Sequence, residues 1–153
     1  MVVTGASGGT GRAIVQVLCE LGYEVRELDI ENRGVTARGW ETYKQVDLTN
    51  AAAVNDAFAG AMGVVHFGSF PGDGQLADTD AWHNFMSAGF NVFNAAKNCG
   101  IKRIAWASSI EIYGDITQHP SLPCTEESPL EPVTIYLASY SPCTVAPDKT
   151  VFT

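Results

Sequence analysis

Short apolar runs alternate with longer amphipathic stretches along this chain. Val2-Val3 ends a first strand in two β-branched residues. Ala13, Ile14, Val17, Leu18 and Leu21 then repeat at helical spacing, and Gly22 closes that helix. Tyr23 to Asp29 alternates like a second strand. A polar connection with Gly34 and Gly39 leads to a short third strand, Thr42 to Val46, ending at Asp47-Leu48. Thr49 or Asn50 caps an alanine-rich helix over Ala51 to Ala59, ended by Gly60. Met62 to Phe67 is apolar and too short for a helix, so it fits a strand buried on both faces. Gly68 to Gly74 contains Pro71 and three glycines and reads as a loop. Asp78, Thr79 or Asp80 caps a long helix with Trp82, Phe85, Met86, Phe90, Phe93 and Ala96 as its apolar stripe; Gly100 ends it. Lys102 to Ala107 is a fifth strand. About five strands alternating with helices predict an α/β fold, a doubly wound parallel sheet.

The turn after the first strand carries the strongest chemical signal. Glycines fall at 5, 8 and 11, within Thr4-Gly5-Ala6-Ser7-Gly8-Gly9-Thr10-Gly11. In such a turn Gly5 permits the sharp exit from the strand. Gly8 lets main chain approach a pyrophosphate, and Gly11 lets the helix pack against the sheet. The helix N-terminus adds free N–H groups and a partial positive charge. Asp29 ends the second strand 18 residues after Gly11, near the roughly 20 expected for an acid holding the adenosine ribose. An acid there repels a 2′-phosphate, which favours NAD. Arg12 and Arg33 keep NADP open, because a nearby arginine can accommodate that phosphate. Asp29 also fits a simple turn cap. Ligands in such sheets sit beyond the carboxyl ends of the strands. The glycine turn, Asp29, Asp47, Phe67-Gly68 and Ser108-Ser109 all lie there in this reading and are expected to share one crevice.

Composition narrows the partners. The net charge is −8 and the pI about 4.7, so neither nucleic acid nor an anionic membrane is expected as main partner. No apolar run approaches the ~20 residues that span a bilayer, and no leader is visible before the glycine turn, so a cytoplasmic location is expected. Cys19, Cys99, Cys124 and Cys143 show no zinc spacing with His66, His83 or His119 and read as free thiols, with no metal site. His66, inside an apolar strand, reads as a hydrogen-bonded core or loop-facing histidine and not as a ligand. The aromatic stripe reads as helix packing with surplus area for a partner subunit.

Several motifs in order resemble the NAD-dependent epimerase/dehydratase family, the extended short-chain dehydrogenases/reductases, over roughly residues 1 to 139. Thr4-Gly5-x-x-Gly8-x-x-Gly11, with Ser7, Gly9 and Thr10 inside it, is similar to the family's cofactor turn. Asp47-Leu48 resembles its adenine-side pair, and Val64-Val65-His66-Phe67-Gly68-Ser69 its fourth-strand motif beside the cofactor. Asn91-Val92-x-Asn94-Ala95-Ala96, Lys102-Arg103 and Ala107-Ser108-Ser109-x-x-x-Tyr113-Gly114 resemble its helix and fifth strand. The resemblance implies a Rossmann-like dinucleotide-binding domain over 1–140 and an atypical tail over 141–153. It also implies a small-molecule substrate of the nucleotide-sugar kind and a homodimer.

The family passes hydride between a carbonyl or alcohol substrate and nicotinamide. By resemblance Ser109 is its substrate-orienting serine and Tyr136, 27 residues on, its proton-exchanging tyrosine. A phenol has a pKa near 10, so a cation must favour its ionised form at neutral pH. The family places a lysine four residues after the tyrosine. Here that position is Tyr140, which cannot supply a permanent charge. Pro142 and Pro147 argue against an unbroken helix reaching Lys149. The expected consequence is impaired catalysis, through a terminus altered or truncated after Ser139 and before the substrate lobe. A non-catalytic nucleotide-binding module or a truncated fragment stands as the alternative. Ser109 also fits a strand-end cap, Tyr136 a helix-face core residue, and Tyr113 either a substrate contact or a loop-shaping residue.

Overall fold

A computed structural model of the chain describes residues 1–31, 43–69, 77–115, 122–125 and 127–132. The chain divides into two compact units. One is drawn from Met1–Ser69 and Ser87–Ala107, the other from Phe70–Met86 and Ser108–Lys149. The elements run β1 (Val2–Thr4), α1 (Gly9–Glu20), β2 (Arg26–Asp29), β3 (Tyr43–Gln45), α2 (Ala51–Phe58), β4 (Val64–His66), α3 (Asp78–Asn98), β5 (Ile104–Trp106) and a 3-10 turn, Ile110–Tyr113.

The strands of the first unit form a five-stranded sheet in the order β3-β2-β1-β4-β5, each neighbouring pair parallel. Parallel neighbours need crossover connections, which α1, α2 and α3 provide. Strand order reverses between β1 and β4, as the doubly wound reading expects. The register sets Val2 opposite Arg26 and Val64, and Thr4 opposite Leu28 and His66. His66 stands opposite Trp106.

Side chains alternate across a strand, so the sheet buries two separate cores. Val2, Leu28 and Val64 pack with Val54, Ala57 and Phe58 of α2 and Val92, Ala95 and Ala96 of α3. Val3 faces the other way and packs with Ala6, Val15 of α1 and Val25. Coverage on both faces explains why Glu27, polar in sequence, lies buried at the middle of β2.

The elements differ from their sequence-based bounds for local reasons. β2 begins at Arg26 rather than Tyr23, because Gly22 and Tyr23 complete the end of α1. The Gly22 N–H donates to Cys19 O and the Tyr23 N–H to Leu18 O, both at 3.0 Å. At α2 the cap is Asn50, whose Oδ1 accepts from Ala53 N–H at 3.1 Å. At α3 the Ala77 carbonyl accepts from Ala81 N–H at 2.9 Å, so Ala77 holds the cap position in place of Asp78, Thr79 or Asp80. The stripe of α3 is also corrected. Phe85, Ala88, Val92, Ala95 and Ala96 are buried, whereas Phe90 is 69% exposed. Small residues are needed inward because Trp106 lies against the helix. A Cβ at Gly89 would come 2.7 Å from the indole ring, and Phe93 stacks on that ring at 4.8 Å between centroids.

At the carboxyl ends of β1 and β4, Thr4 Oγ1 and His66 Nδ1 lie 2.6 Å apart and buried. The Gly68 N–H donates to the same Thr4 Oγ1 at 3.1 Å, so one hydroxyl serves both groups. The indole of Trp106 meets the imidazole edge-on at 4.7 Å. Burial lowers the His66 pKa to about 4 from 6.5.

Two consequences are measurable. Gly11 lies so close to the Gly5 carbonyl that a Cβ there would overlap it. Gly11→Ala is therefore expected to destabilise the chain by roughly 1–3 kcal/mol in urea unfolding; an unchanged midpoint counts against this packing. The unfolded His66 imidazole takes a proton near pH 6.5, while the folded one resists until about pH 4. Its contribution is complete above pH 6.5 and is lost as pH falls to about 4, a change of about 3 kcal/mol. The stability gap between wild type and His66→Gln is thus expected to narrow from pH 7 to pH 4. A gap constant over that range contradicts the buried neutral assignment.

Candidate functional site

The glycine turn is shaped by how closely main chain meets main chain. Gly5 leaves β1 with φ +67°, in the region that favours glycine. A Cβ at Gly5 would stand 2.6 Å from Phe67 O and 2.8 Å from Gly68 N. The turn closes through Gly8 N–H donating to Gly5 O at 3.1 Å. Arg12 Nε braces it from outside by donating to Ser7 O at 3.0 Å.

Gly9, Thr10 and Gly11 form the first turn of α1. Its cap residue is Gly8, no side chain bonds the cap, and no acid lies in the first turn. The orphan amides and the positive end of the helix dipole are therefore not neutralised by any of these side chains. Gly8 and Gly9 are exposed, and a Cβ at Gly9 would meet nothing within 4 Å. This is a cradle for an anion held by main-chain donors.

Asp29, half-buried at the end of β2, faces the same turn. Its Oδ2 accepts from Ser7 N–H at 2.8 Å, and its Oδ1 accepts from Glu31 N–H at 3.3 Å. Val46 N–H and the Tyr43 hydroxyl donate to its main-chain oxygen at 2.8 and 3.3 Å. Burial first, then the Asp29 charge, push the Tyr43 phenol above its ordinary pKa. Asp29 is thus more than a turn cap of its own strand, because it ties the glycine turn to β2.

The remaining lip comes from β3 and β4. Asp47 Oδ1 accepts from Thr49 N–H at 2.9 Å and Thr49 Oγ1 at 2.7 Å, a turn that leaves the carboxylate exposed. Leu48 lies over Gly68, where an added Cβ would come 2.5 Å from Leu48 Cδ1. The Asn91 amide, from α3, donates to Leu48 O at 2.9 Å and Thr49 O at 3.0 Å. Phe67 and Gly68 follow β4 directly, and Ser69 N–H folds back onto Phe67 O at 3.0 Å.

Contacts therefore join Ser7 to Asp29, Gly8 and Gly11 to Gly5, Gly5 to Phe67 and Gly68, and Gly68 to Leu48. Ser109 belongs to the second unit. There the Ile112 N–H donates to its carbonyl at 3.4 Å, and Glu131 N–H donates to Ile112 O at 3.0 Å, holding the turn that ends at Tyr113. Tyr136, Tyr140, Arg33 and Cys143 lie outside the described residues. Among the described residues no three His, Cys, Asp or Glu side chains gather as for a metal ion, and no helix is long and apolar enough to cross a membrane. Thr4 and Asn91 are visible in the sequence only as members of motifs, and their bracing hydrogen bonds are not. Each is a polar residue within an otherwise apolar buried face, and that was the available signal.

The comparisons agree with this geometry. The NAD dependent epimerase/dehydratase family matches residues 1–140. The chain is 27% identical over 145 residues to a UDP-glucose 4-epimerase of Streptomyces lividans, covering 90% of this chain and 43% of that protein. It is 26% identical over 145 residues to a uronate dehydrogenase of Pseudomonas syringae pv. tomato, covering 92% and 50%. A short-chain dehydrogenase/reductase superfamily protein from Agrobacterium tumefaciens with bound NAD superposes with a TM-score of 0.81 at 29% identity, over 92% of this chain and 41% of that one. The chain thus spans about half the length of the relatives it matches or less. Its parallel sheet and glycine turn are those of a Rossmann-like fold, and the chain belongs to the NAD-dependent epimerase/dehydratase family.

Proposed function

We propose that this chain is the dinucleotide-binding part of an NAD-dependent oxidoreductase or epimerase, holding NAD on the glycine turn. The observation that carries this reading is the Asp29 carboxylate, 2.8 Å from the Ser7 N–H at the mouth of an uncapped helix N-terminus. The amides of Gly9, Thr10 and Gly11 would take the diphosphate, with Gly8 leaving room for it. Asp29 would take the adenosine ribose hydroxyls, and its charge disfavours a 2′-phosphate. Asp47 and Leu48 would flank the adenine, and Phe67, Gly68 and Ser69 would line the nicotinamide side.

When bound, NAD supplies a hydride acceptor at its nicotinamide ring. The chain's own groups would do the rest. Ser109 would orient the substrate oxygen, and Tyr136 would exchange its proton. The substrate class favoured is a carbonyl or alcohol of the nucleotide-sugar kind, in keeping with the UDP-glucose 4-epimerase relatives. Residues 1–140 would form the binding domain and 141–153 an atypical tail. Tyr140 in the lysine position favours a second reading, a module that binds nucleotide without turnover. Pairing with a second copy through the outward face of α3 fits the exposed Phe90.

Titration with NAD is expected to give saturable binding that is weakened about 10- to 100-fold in Asp29→Ala, the loss of a charge-assisted hydrogen bond. Asp29→Ala is also expected to narrow the preference for NAD over NADP. Wild-type protein that binds neither dinucleotide overturns the reading. If catalysis survives, Tyr140→Lys raises turnover at unchanged NAD affinity, because a cation then favours the Tyr136 phenolate. Binding without turnover in both forms supports the module.

A further inference from the structure

The loop between β3 and α2 is held by a residue that lies on neither element. Asn91 stands mid-way along α3, 8% exposed, with Val92, Ala95 and Ala96 buried beside it. Its side-chain nitrogen carries two hydrogens. Both are used, one on Leu48 O at 2.9 Å and one on Thr49 O at 3.0 Å. Within the loop, Thr49 and Asn50 turn back onto Asp47, and Asn50 caps α2. Those bonds shape the turn but do not tie it to the sheet.

The tie comes from Asn91 below and from Leu48 above. Leu48 Cδ1 lies on Gly68, and Gly68 lies against Thr4 Oγ1 and Gly5 N. Displacing the Leu48 carbonyl would move the side chain that covers Gly68. Asp47 and Leu48 follow β3, the strand paired with β2 with Gln45 opposite Asp29, and in the function proposed above they flank the adenine.

We propose that Asn91 is a positioning residue for the adenine half of the dinucleotide: without touching the ligand, it fixes the Asp47–Leu48 wall through the two loop carbonyls. The inference rests on the dinucleotide reading above and adds that adenine affinity is set from within α3. A hydrophobic side chain at position 91 would fill the space but leave both carbonyls without their donor, so the loop would loosen while the core stayed packed.

The test pairs Asn91→Leu with Val92→Ala, a core change on the same helix that leaves the loop bonds intact. In ligand-free protein, hydrogen exchange at the Thr49 and Asn50 amides is expected to quicken at least tenfold in Asn91→Leu and not in Val92→Ala. Affinity for NAD and for ADP, measured by calorimetry, is expected to fall at least tenfold in Asn91→Leu. Affinity for nicotinamide mononucleotide, read by ligand-observed NMR, is expected to change less than twofold. Val92→Ala is expected to lower the melting temperature and leave all three affinities within twofold. Unchanged exchange at the loop in a folded Asn91→Leu overturns the inference. So does an equal loss of ADP and nicotinamide mononucleotide binding. If the loop loosens as expected but wild type binds no NAD or ADP, the dinucleotide reading fails and the adenine role fails with it, whereas the loop tie itself stands.

Discussion

The close approach of two main chains where β1 and β4 end governs the rest of this structure. Gly5 passes within contact of Phe67 O and Gly68 N, nearer than any Cβ would allow. This is the point at which strand order reverses, and a parallel sheet opens a crevice there because neighbouring crossovers leave in opposite directions. Thr4 and His66 fasten the approach with one buried hydrogen bond, and Gly68 N–H adds a second to the same hydroxyl. A buried polar group is costly unless paired, so this small network holds one geometry. The uncapped end of α1 is consequently held at a defined height above the sheet.

From that fixed point the site spreads sideways through polar bonds, joined by one apolar contact, Leu48 on Gly68. Asp29 reaches the turn by Ser7 N–H. The β3 loop is held by the Asn91 amide. Hydrophobic contact is non-directional, and it sets which faces meet: Val2, Leu28 and Val64 against α2 and α3, and Val3 against α1. Hydrogen bonds have direction, and they determine where individual carbonyls and carboxylates stand. The first unit thereby combines a broad apolar core with a narrow polar rim.

The identity of position 140 divides the family resemblance in two. The nucleotide-binding features need main-chain amides, glycines and one acid, and all of these are present. The proton exchange proposed for Tyr136 would need a cation nearby, and position 140 is a tyrosine. In the proposed function, binding and turnover would therefore make separate demands on the sequence.

Local pattern alone determined the order of strands and helices, the glycine turn and the acid at the end of β2, because periodicity, β-branching and glycine spacing act over a few residues. The ends of elements were less legible. Tyr23 looked like strand but its amide completes the α1 terminus, and Asp78, Thr79 and Asp80 looked like caps but Ala77 has that place. The inward face of α3 was set by the sheet it covers, with Val92, Ala95 and Ala96 against Val2, Leu28 and Val64 and Gly89 against Trp106, which leaves Phe90 outside. The same holds for Asn91 and Thr4. Their residue types were visible in the sequence, but their partners at Leu48, Thr49, His66 and Gly68 lie about 40 to 60 residues away, and only folding a parallel sheet brings such distant groups within hydrogen-bonding distance.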